Sequence, residues 1–427
     1  MKRKLINSFL ILTTSTMITK VFSLLNRMML SRMLSVETMA LYILVLPTLS
    51  LSITLAQFSV PSAVFRLVSH PKYENKKVII SACLISTITC LLIILALLLF
   101  SRPISLILLK QQDAFYPILS IIPFIPLAGI SGIIKNYFLG KEKLLTLSIA
   151  QFVEEVSRIA FSFILITHFK DVSQSIQISI AILSMSIGEL ASIIFLLLNI
   201  NIRHKLTIKN NLIIKDIMNI AFPLTGSRIL HSAYNFIEPI LLVYMLTQIG
   251  MSETDIHLEY AIMSGYVVSL LFTPTFFNNV VLRLIIPIFN RDIAYNRYKE
   301  LQKHILVSIV VCFFISLPFT VVFYFYGDLC LQFLYNTNQG YEYLKYMSIP
   351  FTLCYLQTPL SATLQCLNKN KDLFYLSVFE IVIELIFMLW LVRYYKVLTV
   401  GIVMLIGLLT TLVLSAYKIY KYVFKQN

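Results

Sequence analysis

The chain has 427 residues, 58% of them hydrophobic and only 13% charged, where an average soluble domain has roughly 25% charged residues. Its 35 Lys and Arg outnumber 20 Asp and Glu, for a net charge of +15. Apolar runs of about 20 residues, long enough to cross a bilayer, recur throughout and exclude an ordinary soluble enzyme.

The opening MKRKLINSFLILTTSTMIT imitates a signal peptide, but it lacks a small-x-small cleavage site, so an uncleaved first span over 5–33 is predicted. Within it Thr13, Thr16, Lys20, Ser23, Arg27 and Ser31 fall three or four residues apart and share one helix face. An unpaired Lys or Arg at mid-membrane costs on the order of 3 kcal/mol or more. The stripe is therefore expected to line a water-filled cavity, while Arg32 at the outer end reads as interfacial. Further spans are expected at 38–69, 77–100, 115–138, 142–168, 175–199, 213–248, 257–288, 303–326, 341–367, 371–394 and 397–420, making about twelve. Pro47, Pro61, Pro223, Pro239, Pro274 and Pro287 are expected kink points. The polar, Asn-rich stretch 200–212 reads as a cytoplasmic linker between two six-helix lobes, 1–199 and 213–427.

The excess positive charge sits in alternate connections. Lys2, Arg3 and Lys4, then Lys72, Lys76 and Lys77, then Lys135, Lys141 and Lys143 fall on one side, and the same alternation continues to Lys418, Lys421 and Lys425. Glu37, Asp171, Glu253, Asp255, Glu259, Asp328 and Glu342 fall on the other with few cations, Arg102, Lys110, Arg393 and Lys396 being the main exceptions. This is the positive-inside pattern of a multi-pass protein of the cytoplasmic membrane with both termini cytoplasmic. Nucleic acid is not an expected partner.

An internal repeat supports the division into lobes. Thr16, Ser23 and Asn26 recur at a constant offset of 209 as Thr225, Ser232 and Asn235, and Arg66 recurs as Arg283. Leu139-Gly-Lys-Glu-Lys143 recurs as Leu367-Asn-Lys-Asn-Lys371, followed by Glu155 matching Glu384. The expectation is an all-α protein whose lobes are related by a pseudo-twofold axis along the membrane normal, the layout of an alternating-access transporter. Its cleft would carry Lys20, Arg27, Arg66, Arg228 and Arg283, lined by Thr16, Ser23, Asn26, Thr225, Ser232, Asn235 and Glu238. Lys20 and Arg228 are expected near mid-membrane, and Arg66 and Arg283 close to the cytoplasmic face. The competing reading is interhelical ion pairing to Glu154, Glu155, Glu189 and Glu238. Cations outnumber carboxylates on these faces, so an anionic substrate is expected. Glu154 and Arg158, at i and i+4, read as a structural pair. Glu380 and Glu384, at the same spacing, suit either a coupling cation or a proton.

No nucleophile triad, phosphate loop or metal spacing occurs, and the six cysteines read as apolar fillers. No cofactor or metal is expected, and a transporter is favoured over an enzyme. A coupling ion, Na⁺ or H⁺, stays open.

The run ITKVFSLLNRMMLSRMLSVETMALY from Ile18, with LPTLSLSITLAQFSVPSAVFRLVS, NYFLGKEK, QFVEEVSR and AFPLTGSRIL, resembles the stage V sporulation protein B type of polysaccharide transporter. That group lies in the multidrug/oligosaccharidyl-lipid/polysaccharide (MOP) exporter superfamily, alongside the lipid II flippases. The resemblance implies outward flipping of an undecaprenyl-pyrophosphate-linked glycan, with lipid II the first candidate, in a bacterial cytoplasmic membrane. Membrane lipids and cell-wall synthesis enzymes are the implied partners. It also implies that Lys20, Arg27, Arg66 and Arg283 meet the diphosphate, Lys20 standing where an Arg is usual and lacking the bidentate fork. Such relatives have fourteen helices against the dozen expected here, the last two being implicated in holding the lipid tail. The alternatives are a MATE-like multidrug or cation antiporter, a flippase for a teichoic or capsular intermediate, a membrane glycosyltransferase, and a relative with only a structural or regulatory role in envelope assembly.

Overall fold

The computed structural model describes residues 2–70, 73–199 and 213–424, with the side chains of 2–13, 15, 16, 279, 280, 283 and 284 outside that description. The expected linker 200–212 also lies outside the described residues. Everything regular in the described chain is helical. Contacts divide it into two compact units, 1–240 and 241–427.

In the first unit, α1 (Lys2–Met33) leads to α2 (Val36–Gln57), whose start is capped by the Ser35 hydroxyl accepting from the Thr38 amide. Residues 38–69, expected as one span, are broken: Phe58 and Ser59 both take left-handed backbone, with φ 44° and 48°, before α3 (Val60–Val68) begins. Pro61 explains the break, since it has no N–H to bond the Gln57 carbonyl and cannot continue the α2 ladder. Then follow α4 (Asn75–Pro103), ending in a π-turn over Ile104–Leu108, α5 (Phe115–Leu119), α6 (Phe124–Gly140), α7 (Leu144–His168), α8 (Gln174–Leu198) and α9 (Ile214–Gln248). A core of Val60, Val64, Leu67, Val78, Ile133, Phe138, Leu196 and Ile217 binds α3, α4, α6, α8 and the start of α9 together. Glycine sets the spacing of α7 and α8. A Cβ on Gly188 would lie 2.8 Å from the Glu154 carbonyl and 3.2 Å from Arg158 Cβ.

The second unit takes the end of α9 and then α10 (Glu253–Tyr260), a π-turn over Ala261–Val268, α11 (Ser269–Leu271) and α12 (Thr273–Ala294). Pro274 plays the part of Pro61 here, standing in the first turn of α12. The Leu271 carbonyl, left over at this break, accepts the buried Tyr355 hydroxyl at 2.5 Å. Next come α13 (Tyr298–Tyr335), kinked at Tyr326, α14 (Tyr341–Cys354), α15 (Gln357–Cys366), α16 (Asn370–Tyr395) and α17 (Leu398–Ile419). Pro47, Pro223, Pro239 and Pro287 sit inside continuous helices.

One turn recurs between the units. Glu142 and Asn368 both have φ 57°, and the following Lys143 and Lys369 amides each reach back 3.0 Å to the carbonyls of Phe138 and Leu364. This pairs Lys141-Glu142-Lys143 with Leu367-Asn368-Lys369, two residues out of the register read from Leu139 and Leu367. In the corrected register Glu154 answers to Glu380 and Arg158 to Glu384. Gly407 leaves room for the Glu384 carboxylate much as Gly188 admits α7.

Among the described residues eight helices, or nine if α5 and α6 with their preceding turn form one bent span, are long and apolar enough to cross a membrane. The dozen expected spans include α1, α7 and the α14–α15 pair, which fall outside that set. In α7 the cause is charge, since Glu154, Glu155 and Arg158 fall together in its middle.

Gly188→Val is expected to destabilise the protein by about 1–3 kcal/mol, because helix backbone must move. At Gly250, a Cβ meets open space but φ is +92°, so Gly250→Ala should cost only about 1 kcal/mol. Thermal unfolding in detergent checks both.

Candidate functional site

Three carboxylates lie inside the first unit, with Glu154 9%, Glu155 6% and Glu189 9% exposed. Each ion buried alone would cost several kcal/mol. Lys135 Nζ sits 2.5 Å from Glu154 and 2.9 Å from Glu189, and so joins α6 to α7 and α8. Arg158 donates to the other Glu154 oxygen at 2.7 Å and to Glu155 at 3.3 Å. The expected Glu154–Arg158 pair is thus present, inside a larger network. Lys135, grouped by sequence with the basic connection at Lys141 and Lys143, is corrected to a half-buried member of this network, because its amine lies between Glu154 and Glu189.

The first helix lies against this network. α1 packs along α7, with Phe22 and Phe152 edge to face at 5.2 Å. Lys20 reaches far enough to act on the Glu155 charge, and Arg27 acts on Tyr42 together with Arg158. Lys20 and Ser23 are exposed, Arg27 is half-buried, and Asn26 is buried.

The arginines of α3 and α9 stand differently. α3 turns its Val60, Pro61, Ala63, Val64, Leu67 and Val68 face into the core, leaving Arg66 exposed, with Ser62 half-buried one turn earlier. Arg228 is also exposed, and its Nη2 lies 3.5 Å from Ser62 Oγ. Thr54 and Ser232 hydroxyls, 2.8 Å apart, hold α9 against α2 at this point. So Arg228 stands beside Ser62, and Arg66 follows Ser62 by one helical turn in α3. Among the described residues neither has a carboxylate within ion-pair distance, in contrast to Lys135 and Arg158.

The expected lining divides. Ser23 and Asn235 are exposed and Glu238 half-buried, whereas Thr225, Ser232 and Asn26 are buried. Thr225 bonds back to the Ala221 carbonyl of its own helix at 2.7 Å and offers nothing outward. The side chains of Thr16 and Arg283 lie outside the described residues. Near the start of α9, Asp216 accepts from the Tyr73 phenol, fastening the segment after α3. Sequence reasoning missed Lys135 and Ser62. A Lys three residues after Gly132, inside an apolar run and level with two Glu positions, was the available signal for the first.

The profile of the polysaccharide biosynthesis protein family matches residues 5–291. The chain belongs to that family. A second profile, that of the MatE family, matches 285–390. Stage V sporulation protein B of Bacillus subtilis (strain 168) is 26% identical over 381 residues, covering 86% of this chain and 74% of that one. Sporulation protein YkvU of the same strain is 23% identical over 395 residues, covering 90% and 87%. An inward-facing multidrug resistance MATE family transporter of the MOP superfamily matches in fold with a TM-score of 0.71 at 13% identity, over 98% of this chain and 99% of that one. The chain is a multi-pass membrane protein of the polysaccharide biosynthesis protein family, and it shares the fold of that MATE transporter.

Lys135→Met should destabilise by about 3–5 kcal/mol, since it strands two buried carboxylates. Adding Glu154→Gln and Glu189→Gln to Lys135→Met should recover most of the loss, as read by thermal unfolding in detergent.

Proposed function

We propose that this transporter is a flippase that carries an undecaprenyl-pyrophosphate-linked glycan outward across the bacterial cytoplasmic membrane, with lipid II the first substrate to test. The supporting observation is that Arg66 and Arg228 are both exposed, Arg228 beside Ser62 and Arg66 one helical turn after it, with no carboxylate within ion-pair distance of either among the described residues. Guanidinium is suited to this work because its fork binds two phosphate oxygens at once. Lys20 and Arg27 continue the positive stripe along α1, and Arg283 is the expected counterpart from the other half.

In this reading both termini are cytoplasmic and two lobes alternate in access, with the prenyl tail remaining in lipid. Differential affinity of the inward and outward states for the anion sets the direction of the cycle, and an inside-negative potential favours moving an anion outward. Export of cationic drugs is the weaker reading. It needs an accessible carboxylate, and Glu154, Glu155 and Glu189 are buried and held by Lys135 and Arg158.

The test is transport of fluorescent lipid II in proteoliposomes, paired with rescue of cells depleted of their own lipid II flippase. Arg66→Ala and Arg228→Ala should each lower the rate by about tenfold or more, one lost charge-assisted phosphate contact being worth roughly 1.5–3 kcal/mol. Arg→Lys at either site should fall between. Unimpaired transport by the double alanine variant would refute the assignment.

A further inference from the structure

A second polar site lies at the opposite end of the first unit from the Lys141–Lys143 turn, well away from Arg66 and Arg228. α4 ends at Pro103, and the π-turn behind it, the segment before α5 and the start of α8 enclose a cavity of ≈ 500 Å³. Its walls carry Arg102, Gln112, Asp113, Tyr116 and Ser173 over a floor that includes Ser105 and Ser175. The floor is fixed: Ser105 donates to the Arg102 carbonyl at 3.0 Å, and Ser175 donates to the Asp113 carbonyl at 2.7 Å.

The walls, by contrast, are chemically idle. Arg102, Gln112 and Asp113 make no side-chain hydrogen bond or ion pair among the described residues, although a cation and an anion line the same space. Ser173 stands at the N-cap of α8 without using its hydroxyl as the cap. Tyr116 is 61% exposed and meets Phe115 edge-on at 5.3 Å. An anion gains little here, because Asp113 offsets Arg102, and an apolar molecule would strand four polar groups. A polyhydroxylated neutral ring satisfies all of them. Planar Arg, Asp and Gln groups each engage two adjacent hydroxyls, and the C–H face of a pyranose rests on an exposed aromatic ring.

The geometry points to a saccharide-binding site formed by Arg102, Gln112, Asp113, Tyr116 and Ser173, which takes a hexose or N-acetylhexosamine unit. In the proposed orientation this end faces out of the cell, where the glycan of a flipped lipid emerges and its charged diphosphate does not reach. The site stands apart from the diphosphate reading and holds whatever anion the arginines bind.

Saturation-transfer NMR on the full chain in phosphatidylcholine nanodiscs tests it, with N,N′-diacetylchitobiose and maltose as probes and inorganic phosphate as competitor. Signal is expected from at least one disaccharide and not displaced by phosphate. It should weaken about tenfold or more in Asp113→Asn and Tyr116→Ala, both at exposed positions that leave the fold intact. Arg66→Ala with Arg228→Ala should leave it unchanged even while flipping is lost, which separates the two sites. Absence of signal, equal signal in both cavity variants, or displacement by phosphate would overturn the saccharide assignment, the last in favour of an anionic headgroup site.

Discussion

A fixed charge within a bilayer must find its opposite or face water, and the first unit is arranged by that constraint. Glu154, Glu155 and Glu189 are deep in the helix packing, and Lys135 and Arg158 bridge them across α6, α7 and α8. Removing either cation leaves a buried carboxylate uncompensated: Glu189 without Lys135, Glu155 without Arg158. Gly188 belongs to the same arrangement, because only a residue without a side chain lets α8 approach α7 closely enough for these short contacts. With the internal carboxylates bound to internal cations, the arginines on α3 and α9 stay available. That division of labour between paired and unpaired cations underlies the functional reading.

The backbone breaks serve the same end. Two consecutive left-handed residues at Phe58 and Ser59 detach α3 from α2, and the short helix brings Ser62 to Arg228. A straight helix through this point would carry Arg66 in a different direction. Left-handed conformation at non-glycine residues costs on the order of 1 kcal/mol each, and the apolar face of α3 in the core offsets it.

Much of this was legible in the residues. Span-length apolar runs and the Glu154–Arg158 spacing follow from helical period alone, and each has its counterpart in the structure. What the sequence could not convey were relations between elements. Lys135 looked like one of a group with Lys141 and Lys143, because nothing local shows that Glu154 and Glu189 on other helices reach its amine. The Leu139 and Leu367 motifs matched by identity, yet the shared turn is set by backbone at Glu142 and Asn368, so the register shifts by two. Thr225 and Ser232 fit a polar stripe by spacing, but burial and hydrogen bonding to Ala221 and Thr54 take them out of any open surface. Arg228 could be placed along its own helix but not beside Ser62, which is 166 residues away in sequence.

The central claim is that Arg66 and Arg228 bind a diphosphate. Calorimetric titration of the protein in neutral-lipid nanodiscs with farnesyl pyrophosphate, a short soluble prenyl diphosphate, addresses it without requiring transport. The account predicts saturable binding that weakens with salt, falls about tenfold or more in either arginine-to-alanine variant, and disappears in the double variant. Equal binding by the wild type and the double variant would contradict it.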